Sequence, residues 1–282
     1  MSLKVLHLWN MTAGRCGIRN FGNMFSIALR NAGCEVDDFD VCYPTLYATG
    51  KYLPDNVQDY DVVHFNWHPI TNNHYGAGHF TGIHGVRSIY LHDIPPWSAC
   101  PCLEPFQVRM TSEPSEISTL EVPYPIVDWV DPATLHTPGA RFTVGISGVR
   151  EDGFPAIRGI CDSHNWLVNM SEPGAWLSIE DEVRRLSRSH VNVCWYHEAR
   201  GLSGTPGMML GSRRPLLINH SPMLRHLRDV HGVWQNDDLE KALMLFEAFP
   251  VKGPQGIDPT LSWSTYAQRI LMAWEEAATD GR

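Results

Sequence analysis

Short runs of apolar, often β-branched residues alternate along this chain with segments whose apolar side chains recur at helical spacing. The first run, 5–9, is followed by a helical pattern in which Gly33 takes the position that glycine favours just beyond a helix end. Further strand candidates are 35–39, 62–65 and 88–91. This alternation predicts a parallel sheet covered by helices. The apolar residues that define the first helix are Phe21, Met24, Phe25, Ala28, Leu29 and Ala32.

A second series of the same kind begins at Phe142. Its strand candidates are 142–146, 191–195, 216–219 and 233–235. A helix over 237–249 opens with acidic residues, which its dipole favours, and a last amphipathic helix covers 262–277. Proline-rich stretches at 122–126 and 131–138 lie between the two series. The chain is therefore predicted to be an α/β protein with two Rossmann-like halves.

Composition limits the setting and the partners. The 282 residues include 22 Lys and Arg against 31 Asp and Glu, a net charge of −9, which disfavours DNA or RNA as a partner. We expect no transmembrane segment, since no apolar run approaches the ~18 residues of a membrane span. The start of the chain lacks the cleavage site of a signal peptide. The seven cysteines lie mostly in apolar stretches, which predicts buried thiols and a cytoplasmic protein.

Two segments of the first half carry candidate chemistry. The glycine turn 12–19 contains Cys16 and Gly17 before the first helix, where backbone N–H groups can approach an anion. Purely geometric use of glycine is the competing interpretation. His92 and Asp93 follow a strand candidate, and the carboxyl ends of parallel strands are where ligands bind in such sheets. A histidine that only satisfies a buried carbonyl fits that position equally well.

Two segments of the second half parallel these. Ser203, Gly204 and Thr205 precede a short helix with Pro206 in its first turn, so their hydroxyl and N–H groups are predicted to cap the helix and to hold a phosphate. Arg150 lies in a glycine-rich turn after the strand at 142–146. It is a candidate for binding a diphosphate, although a solvated arginine of a loop would look the same.

Taken in order, these motifs resemble the GT-B glycosyltransferases, specifically the retaining family 4 type, discontinuously over nearly the whole chain. Residues 16–18 resemble that family's glycine turn at the donor phosphates, and 122–125 resemble the approach to its linker. The stretches 61–68 and 91–94 resemble its paired strand motifs, of which the second holds a histidine beside the transferred sugar. The stretch 196–204 with 214–218 resembles its donor-binding block, and 261–274 its closing helix.

The resemblance implies a GT-B fold of two Rossmann-like domains facing across a cleft. The domains would be 1–137 on the acceptor side and 138–256 on the donor side, with 257–282 returning to the first. The implied site has His92 and Asp93 as catalytic residues. Donor phosphates would be bound by Cys16, Gly17, Arg150, Ser203, Gly204 and Thr205, and the donor sugar or nucleotide by Glu198. The acceptor would lie against His64, Asn66 and His68.

Two residues of the family pattern are missing. The phosphate-binding lysine falls at Asp152 or Gly153, and the second glutamate falls in Pro206-Gly-Met208-Met209. We expect a metal-independent, retaining transfer from a nucleoside-diphosphate sugar, by preference a UDP-sugar, to a hydroxyl acceptor, with no cofactor and no metal site. Cys100 and Cys102 have no second pair at finger-like spacing. The rivals are a catalytically idle nucleotide-sugar-binding protein and a nucleotide-sugar 2-epimerase.

The acceptor stays open on the sequence. A glycan, a lipid or a small molecule is the default, and a hydroxymethylated DNA base, as in viral enzymes, is disfavoured by the net charge. Residues 69–87, which include His74, His79, His84 and Arg87, are a candidate acceptor segment. An ordinary mobile surface loop is the competing interpretation, and the composition favours it.

Overall fold

The computed structural model describes residues 2–11, 17–69, 71–92, 103–147, 154–171, 177–196 and 203–280. The chain forms two compact units, which divide it at 124/125 and 262/263. Unit 1 is Met1–Tyr124 together with Trp263–Arg282, and unit 2 is Pro125–Ser262. The domain boundaries expected from the sequence, at 137/138 and 256/257, stay a prediction.

Unit 1 contains six strands and three helices among its described residues. Its single sheet (sheet 1) has the order β2-β1-β3-β4-β5-β6, and every pairing in it is parallel. The strands are β1 (Lys4–Trp9), β2 (Glu35–Asp40), β3 (Val62–Trp67), β4 (Val86–Leu91), β5 (Val108–Thr111) and β6 (Leu120–Glu121), and the helices are α1 (Gly17–Asn31), α2 (Tyr43–Thr49) and α7 (Trp263–Asp280).

The two faces of sheet 1 are packed differently, because alternate side chains of a strand point to opposite faces. On β3, Val63, Phe65 and Trp67 join an apolar cluster that covers one face. His64 and Asn66 lie on the other face. There His64 stacks on Phe25 of α1 with ring centroids 4.3 Å apart, and the ring of Trp274 of α7 lies 5.9 Å from it. The second face is therefore an aromatic and histidine layer beneath two helices.

Residues 71–87 pack against the body of unit 1, so the interpretation of this segment as an ordinary surface loop is wrong. Tyr75, Phe80 and Ile83 are buried in the apolar cluster. The Tyr75 hydroxyl donates to the Tyr52 carbonyl oxygen at 2.9 Å. The hydrophobic gain from burying these three side chains offsets the entropy of ordering a glycine-rich segment, which composition alone did not indicate.

Unit 2 contains five strands and four helices among its described residues. Its sheet (sheet 2) has the order β11-β10-β9-β7-β8 and is also parallel throughout. The strands are β7 (Thr143–Ile146), β8 (Leu167–Asn169), β9 (Val191–Cys194), β10 (Leu216–Ile218) and β11 (Val233–Gln235), and the helices are α3 (Phe154–Ser163), α4 (Ile179–Leu186), α5 (Thr205–Gly211) and α6 (Leu239–Ala248).

The structure confirms the predicted fold class of two Rossmann-like halves with parallel sheets. The predicted strands and the three predicted long helices, α1, α6 and α7, occur within a few residues of their expected positions, and Gly33 has the left-handed backbone (φ +94°) expected beyond α1. The sequence did not predict β5, β6, β8 and α2, which are all short. Within the described residues, no helix is long and apolar enough to cross a membrane.

Helix α5 packs directly against the backbone of 125–127. A side chain at Gly207 would place its Cβ 2.3 Å from the Pro125 carbonyl oxygen, and one at Gly211 would lie 2.7 Å from the Val127 carbonyl oxygen. The Val127 amide donates to the Gly207 carbonyl oxygen at 3.2 Å, and the Ile126 amide donates to the Leu261 carbonyl oxygen at 2.8 Å. Two glycines one helical turn apart thus allow this close backbone contact.

Gly207→Ala is expected to destabilise unit 2 by about 1–3 kcal/mol, because the added methyl overlaps a backbone oxygen that cannot rotate away. Gly159→Ala on α3 is the matched control. No described atom lies within 4 Å of its Cβ position, so alanine is expected to add about 0.5–1 kcal/mol through helix propensity. Urea unfolding of both variants measures the two effects. Equal stability of the two variants would contradict the contact.

Candidate functional site

The carboxyl ends of β1 to β4 meet at one edge of sheet 1, because these strands are parallel. Asn10, Asp40, His68 and His92 are the residues at or just beyond these ends. The chain runs from β1 outward to β2 and then back to β3 on the other side of β1, so the strand order reverses between β1 and β3. Ligands of open α/β sheets bind at the carboxyl edge beside such a reversal. We call this feature the carboxyl edge.

His92 is held at the carboxyl edge by two side chains. Its Nε2 is hydrogen-bonded to Asn66 Oδ1, and its Nδ1 lies 3.1 Å from the Tyr124 hydroxyl. An amide oxygen only accepts, so Nε2 carries a proton and donates it to Asn66. His92 is only 2% exposed. The two hydrogen bonds therefore hold the buried imidazole in one orientation.

A second set of polar contacts connects the ends of β1, β3 and β4. The amides of Asn10 and Asn72 are hydrogen-bonded to each other in both directions, at 2.9 and 3.2 Å, and both residues are fully buried. Asn72 Oδ1 also accepts from the His68 backbone amide at 3.0 Å. The His92 amide donates to the Trp67 carbonyl oxygen at 3.0 Å. Asn72 is held inside unit 1 by these contacts.

His64 lies in the interior of unit 1, two residues before Asn66 and on the same face of β3, and it is fully buried. Its Nδ1 is 3.0 Å from Ser88 Oγ, and its ring centroid is 5.3 Å from that of His7 on β1. Burial, with the neighbouring His7 and His92, lowers the pKa of His64 well below its usual range. Burial also lowers the pKa of His7, although Asp38 opposes the shift. Both imidazoles are therefore neutral at pH 7.

The buried histidines predict a stability that is lost in acid. The pKa of each is lowered in the folded chain, so its contribution is complete above the unfolded pKa of about 6.5 and declines as the pH falls below it. In that range each histidine lowers the free energy of unfolding by up to about 1.4 kcal/mol for each unit by which the pH falls. Chemical unfolding at pH 7.5, 6.0 and 5.0 measures the slope. His64→Leu should reduce it, and the control His84→Ala, at an exposed position, should leave it unchanged.

In unit 2, the donor-phosphate candidates lie where the chain leaves β9. Ser203 Oγ is 2.7 Å from the Tyr196 hydroxyl, and the Ser203 amide donates to the Met223 carbonyl oxygen. The N-cap of α5 is Gly204, with no side-chain cap. The prediction that hydroxyls cap this helix is therefore wrong, because the Ser203 hydroxyl is directed to Tyr196. Pro206 in the first turn is confirmed. Ser203 and Thr205 are buried, and Gly204 is half-buried.

A buried ion pair organises the neighbouring end of β7. Arg185 binds both carboxylate oxygens of Glu182, at 2.6 and 2.8 Å, and also donates to the Ile146 carbonyl oxygen at 2.7 Å. Glu182 Oε1 accepts from Ser147 Oγ at 2.6 Å. Arg185 further donates to the backbone and side-chain oxygens of Asn169 at the end of β8. This network fixes the point from which the chain enters the 148–153 segment.

Four of the predicted site residues, Cys16, Asp93, Arg150 and Glu198, lie outside the described residues, as do Cys100 and Cys102. Of the others, the structure brings His92, Asn66 and His68 together at the carboxyl edge of unit 1, with His64 beneath them. It brings Ser203, Gly204 and Thr205 together in unit 2, and Gly17 begins α1. Within the described ranges, no three His, Cys, Asp or Glu side chains are arranged to hold a metal ion.

Sequence reasoning missed Tyr124, Asn72 and the Glu182–Arg185 pair. The sequence around Tyr124 indicates only a proline-rich segment. No sequence pattern links Tyr124 to His92, which lies 32 residues away. The ion pair had a readable signal, since opposite charges three residues apart meet on one helix face. Asn10 could have been found by asking which polar residue follows β1.

Solved structures of low sequence identity share the fold of this chain. No family model and no curated protein matches the chain. Solved structures do match. A glycosyltransferase from Rickettsia africae has a TM-score of 0.63, with 9% identity over 98% of each chain. Anabaena Alr3699/HepE in complex with UDP-glucose has a TM-score of 0.57, with 9% identity over 99% of each chain.

A third match is an alpha-glucosyltransferase in complex with UDP and a 13-mer DNA containing a HMU base. Its TM-score is 0.53, with 12% identity over 99% of this chain and 94% of that one. At such low identity these structures establish the fold: two Rossmann-like domains with six- and five-stranded parallel sheets, the GT-B architecture of these glycosyltransferases.

Proposed function

We propose that this chain is a glycosyltransferase that moves a sugar from a nucleoside-diphosphate sugar, by preference a UDP-sugar, to a hydroxyl acceptor. The observation that carries the proposal is the GT-B fold over the whole chain, shared with proteins that were solved with UDP or UDP-glucose. The ordered polar residues at the carboxyl edge of sheet 1 support it, because that edge is where an α/β sheet binds its ligand.

In the proposed reaction the bond between the sugar and the diphosphate breaks, a bond forms from the sugar to the acceptor oxygen, and the acceptor proton passes to the leaving diphosphate. Negative charge grows on the leaving diphosphate. Arg150, backbone N–H groups near Cys16 and Gly17, and the Ser203–Thr205 segment would stabilise that charge electrostatically. Glu198 would contact the donor. We propose a retaining transfer that needs no metal and no cofactor.

His92 would position the donor sugar or the acceptor. Its hydrogen-bonded ring gives β4 a rigid end, so the chain that continues into Asp93 starts from a fixed point. Asn66 and His68 lie on the neighbouring strand end, on what we propose as the acceptor side. His64 supports them from below, since its fully buried ring packs on Phe25. We also propose a cytoplasmic location.

A specific observation keeps an idle binding protein as the second candidate. Met208 and Met209, in the region where the family's second glutamate is expected, are buried in α5 at 1% and 0% exposure. This part of α5 therefore packs into the core of unit 2 and presents no carboxylate to the ribose hydroxyls. Such a site would bind the donor differently, or bind it without turnover.

Incubation of the purified protein with UDP-, GDP- and ADP-sugars, each with and without glycan, lipid and hydroxymethylated DNA acceptors, tests the proposal. Mass spectrometry of nucleotide and product gives the readout. Acceptor-dependent release of the nucleoside diphosphate supports transfer, and activity in EDTA together with retained anomeric configuration by NMR supports the proposed mechanism. Tight donor binding without turnover would establish the idle protein. Isomerised sugar without acceptor would establish the epimerase.

The DNA acceptor has its own control. A DNA-bound glucosyltransferase is among the similar structures, whereas the net charge of this chain is −9. DNA affinity measured at rising salt shows whether this chain binds DNA through phosphate contacts, because such contacts give a steep salt dependence. No binding at low salt would remove DNA from the acceptors.

A further inference from the structure

Helix α2 exposes two tyrosines that the fold of unit 1 does not use. Only Leu46 of this helix is buried, whereas Tyr43 is 60% exposed and Tyr47 is 84% exposed. Residues four apart lie on the same face of a helix, so the two rings are neighbours. Adjacent exposed aromatic rings on one rigid element are typical of a binding surface.

The helix that carries them is fixed at the carboxyl edge. Thr45 Oγ1 donates to Asp40 Oδ2 at 2.6 Å, and Asp40 Oδ1 accepts from the Met11 backbone amide at 3.0 Å. The Cys42 thiol contacts Asn10 Oδ1 at 3.6 Å. The N-terminal end of α2 is therefore joined to the end of β1, on the same edge of sheet 1 that holds His68 and His92.

Further rings extend the tyrosine pair into a strip. Tyr43 meets His74 edge to face at 5.6 Å, His74 lies 6.3 Å from Tyr52, and Tyr52 stacks on His79 at 3.9 Å. His74, Tyr52 and His79 are each partly exposed. We call this set the aromatic strip: Tyr43, Tyr47, Tyr52, His74 and His79.

The strip offers flat rings together with hydrogen-bonding groups. Burial lowers the pKa of His74, so its imidazole is neutral at pH 7. The nearby charges of Lys51 and Asp55 are paired with each other. Asp40 adds a negative charge at the base of α2. This electrostatic setting opposes a polyanion and suits an uncharged ligand whose C–H groups pack on rings and whose hydroxyls form hydrogen bonds.

We propose that the aromatic strip is the acceptor subsite of this chain and that its occupant is a neutral carbohydrate chain, whose sugar rings stack on Tyr43 and Tyr47. This inference rests on the proposed function and narrows its acceptor from four classes to one. The strip would hold the acceptor chain, while the carboxyl edge beside it holds the accepting hydroxyl.

The test compares ring removal with hydroxyl removal. Tyr43→Ala, Tyr47→Ala and the double alanine variant are measured beside Tyr43→Phe and Tyr47→Phe. Phe249→Ala, which removes a ring that is 70% exposed in unit 2, is the matched control. The probes are neutral oligosaccharides of glucose, galactose and mannose. Binding is followed by saturation-transfer NMR, and donor hydrolysis without acceptor is followed by nucleotide release.

The double alanine variant is expected to weaken oligosaccharide binding, and to raise the acceptor KM, about tenfold or more, since two stacking contacts are lost. The phenylalanine variants keep the rings and should stay within about threefold of the original protein, since each loses one exposed hydrogen bond at most. Donor hydrolysis and thermal unfolding should not change. Phe249→Ala should change nothing.

Unchanged oligosaccharide binding in the double alanine variant would overturn the inference and leave the transferase intact. Failure of the original protein to bind any oligosaccharide, or binding of DNA that the double variant loses, would overturn the choice of occupant. Absence of donor turnover in a protein that still binds oligosaccharides through the strip would instead overturn the proposed function. The two failures are therefore distinguishable.

Discussion

Replacing His92 with Gln is expected to lower kcat for sugar transfer about a hundredfold, because a misplacement of about 1 Å at the reacting groups costs that much. The change removes a ring that is only 2% exposed and that two hydrogen bonds hold in place. Glutamine cannot satisfy Asn66 and Tyr124 from the same position. The donor KM should change much less than kcat, since the ring fixes geometry more than it supplies binding energy.

The Tyr124 hydroxyl gives a graded test of the same geometry. Tyr124→Phe removes the hydrogen bond between Tyr124 and His92 Nδ1 and should lower kcat about tenfold, a smaller loss than that of His92→Gln because the contact of His92 with Asn66 is kept. Tyr90→Phe is the matched control. It also removes a buried hydroxyl, one that donates to the Val122 carbonyl oxygen at 2.9 Å, without touching a ring nitrogen of His92.

Both phenylalanine variants should lose a similar stability of about 1 kcal/mol, the contribution of one hydrogen bond, while only Tyr124→Phe loses activity. Steady-state kinetics and urea unfolding of the pair separate the two roles. Equal kcat values for Tyr124→Phe and Tyr90→Phe would show that His92 needs no positioning by Tyr124. Full activity of a folded His92→Gln would remove His92 from the mechanism.

Trp274→Ala is expected to destabilise unit 1 by about 3–5 kcal/mol, the cost of removing a fully buried aromatic side chain. Trp274 is 1% exposed, and its ring centroid lies 5.9 Å from His64 and 6.4 Å from Phe25. Among the described residues its indole N–H has no hydrogen-bond partner, so the expected loss is one of packing. A loss of this size is a large part of the ~5–15 kcal/mol that stabilises a typical domain.

Met272→Ala on the same helix is the control, because Met272 is 60% exposed and its truncation should cost less than about 0.5 kcal/mol. Urea unfolding followed by tryptophan fluorescence and by far-UV circular dichroism measures both variants. Non-coincident transitions would report separate unfolding of the two units. A Trp274→Ala protein as stable as Met272→Ala would contradict the packing of α7 onto α1.

The periodic part of the structure could be predicted from the sequence, and the irregular part could not. Strand β1 is buried at every residue after Lys4, and strand β9 is buried throughout, so both have the mostly apolar runs that a buried strand requires. The short strands β6 and β8 have two and three residues, too few for a period to appear. Helix α2 is defined by its anchor on Asp40, a contact with the end of another strand rather than a local pattern.

The candidate site divides in the same way. The position of His92 at the end of a strand was predicted, because a parallel strand followed by a polar residue points to the carboxyl edge. Its partners were not, since Asn66 is 26 residues away and Tyr124 is 32 residues away in the chain. At Ser203 the capping pattern correctly predicted the start of a helix. The Ser203 hydroxyl, however, contacts the Tyr196 hydroxyl and does not cap that helix.

The sequence by itself determined two parallel Rossmann-like sheets, because hydrophobic periodicity is a local property that each segment carries alone. It also determined which strand ends present polar residues. Only the folded chain showed that Asn10 pairs with Asn72, and that Asn66 and Tyr124 fix the orientation of the His92 ring. These contacts join residues far apart in the chain, and their free energy exists only once the sheet has brought the strand ends together.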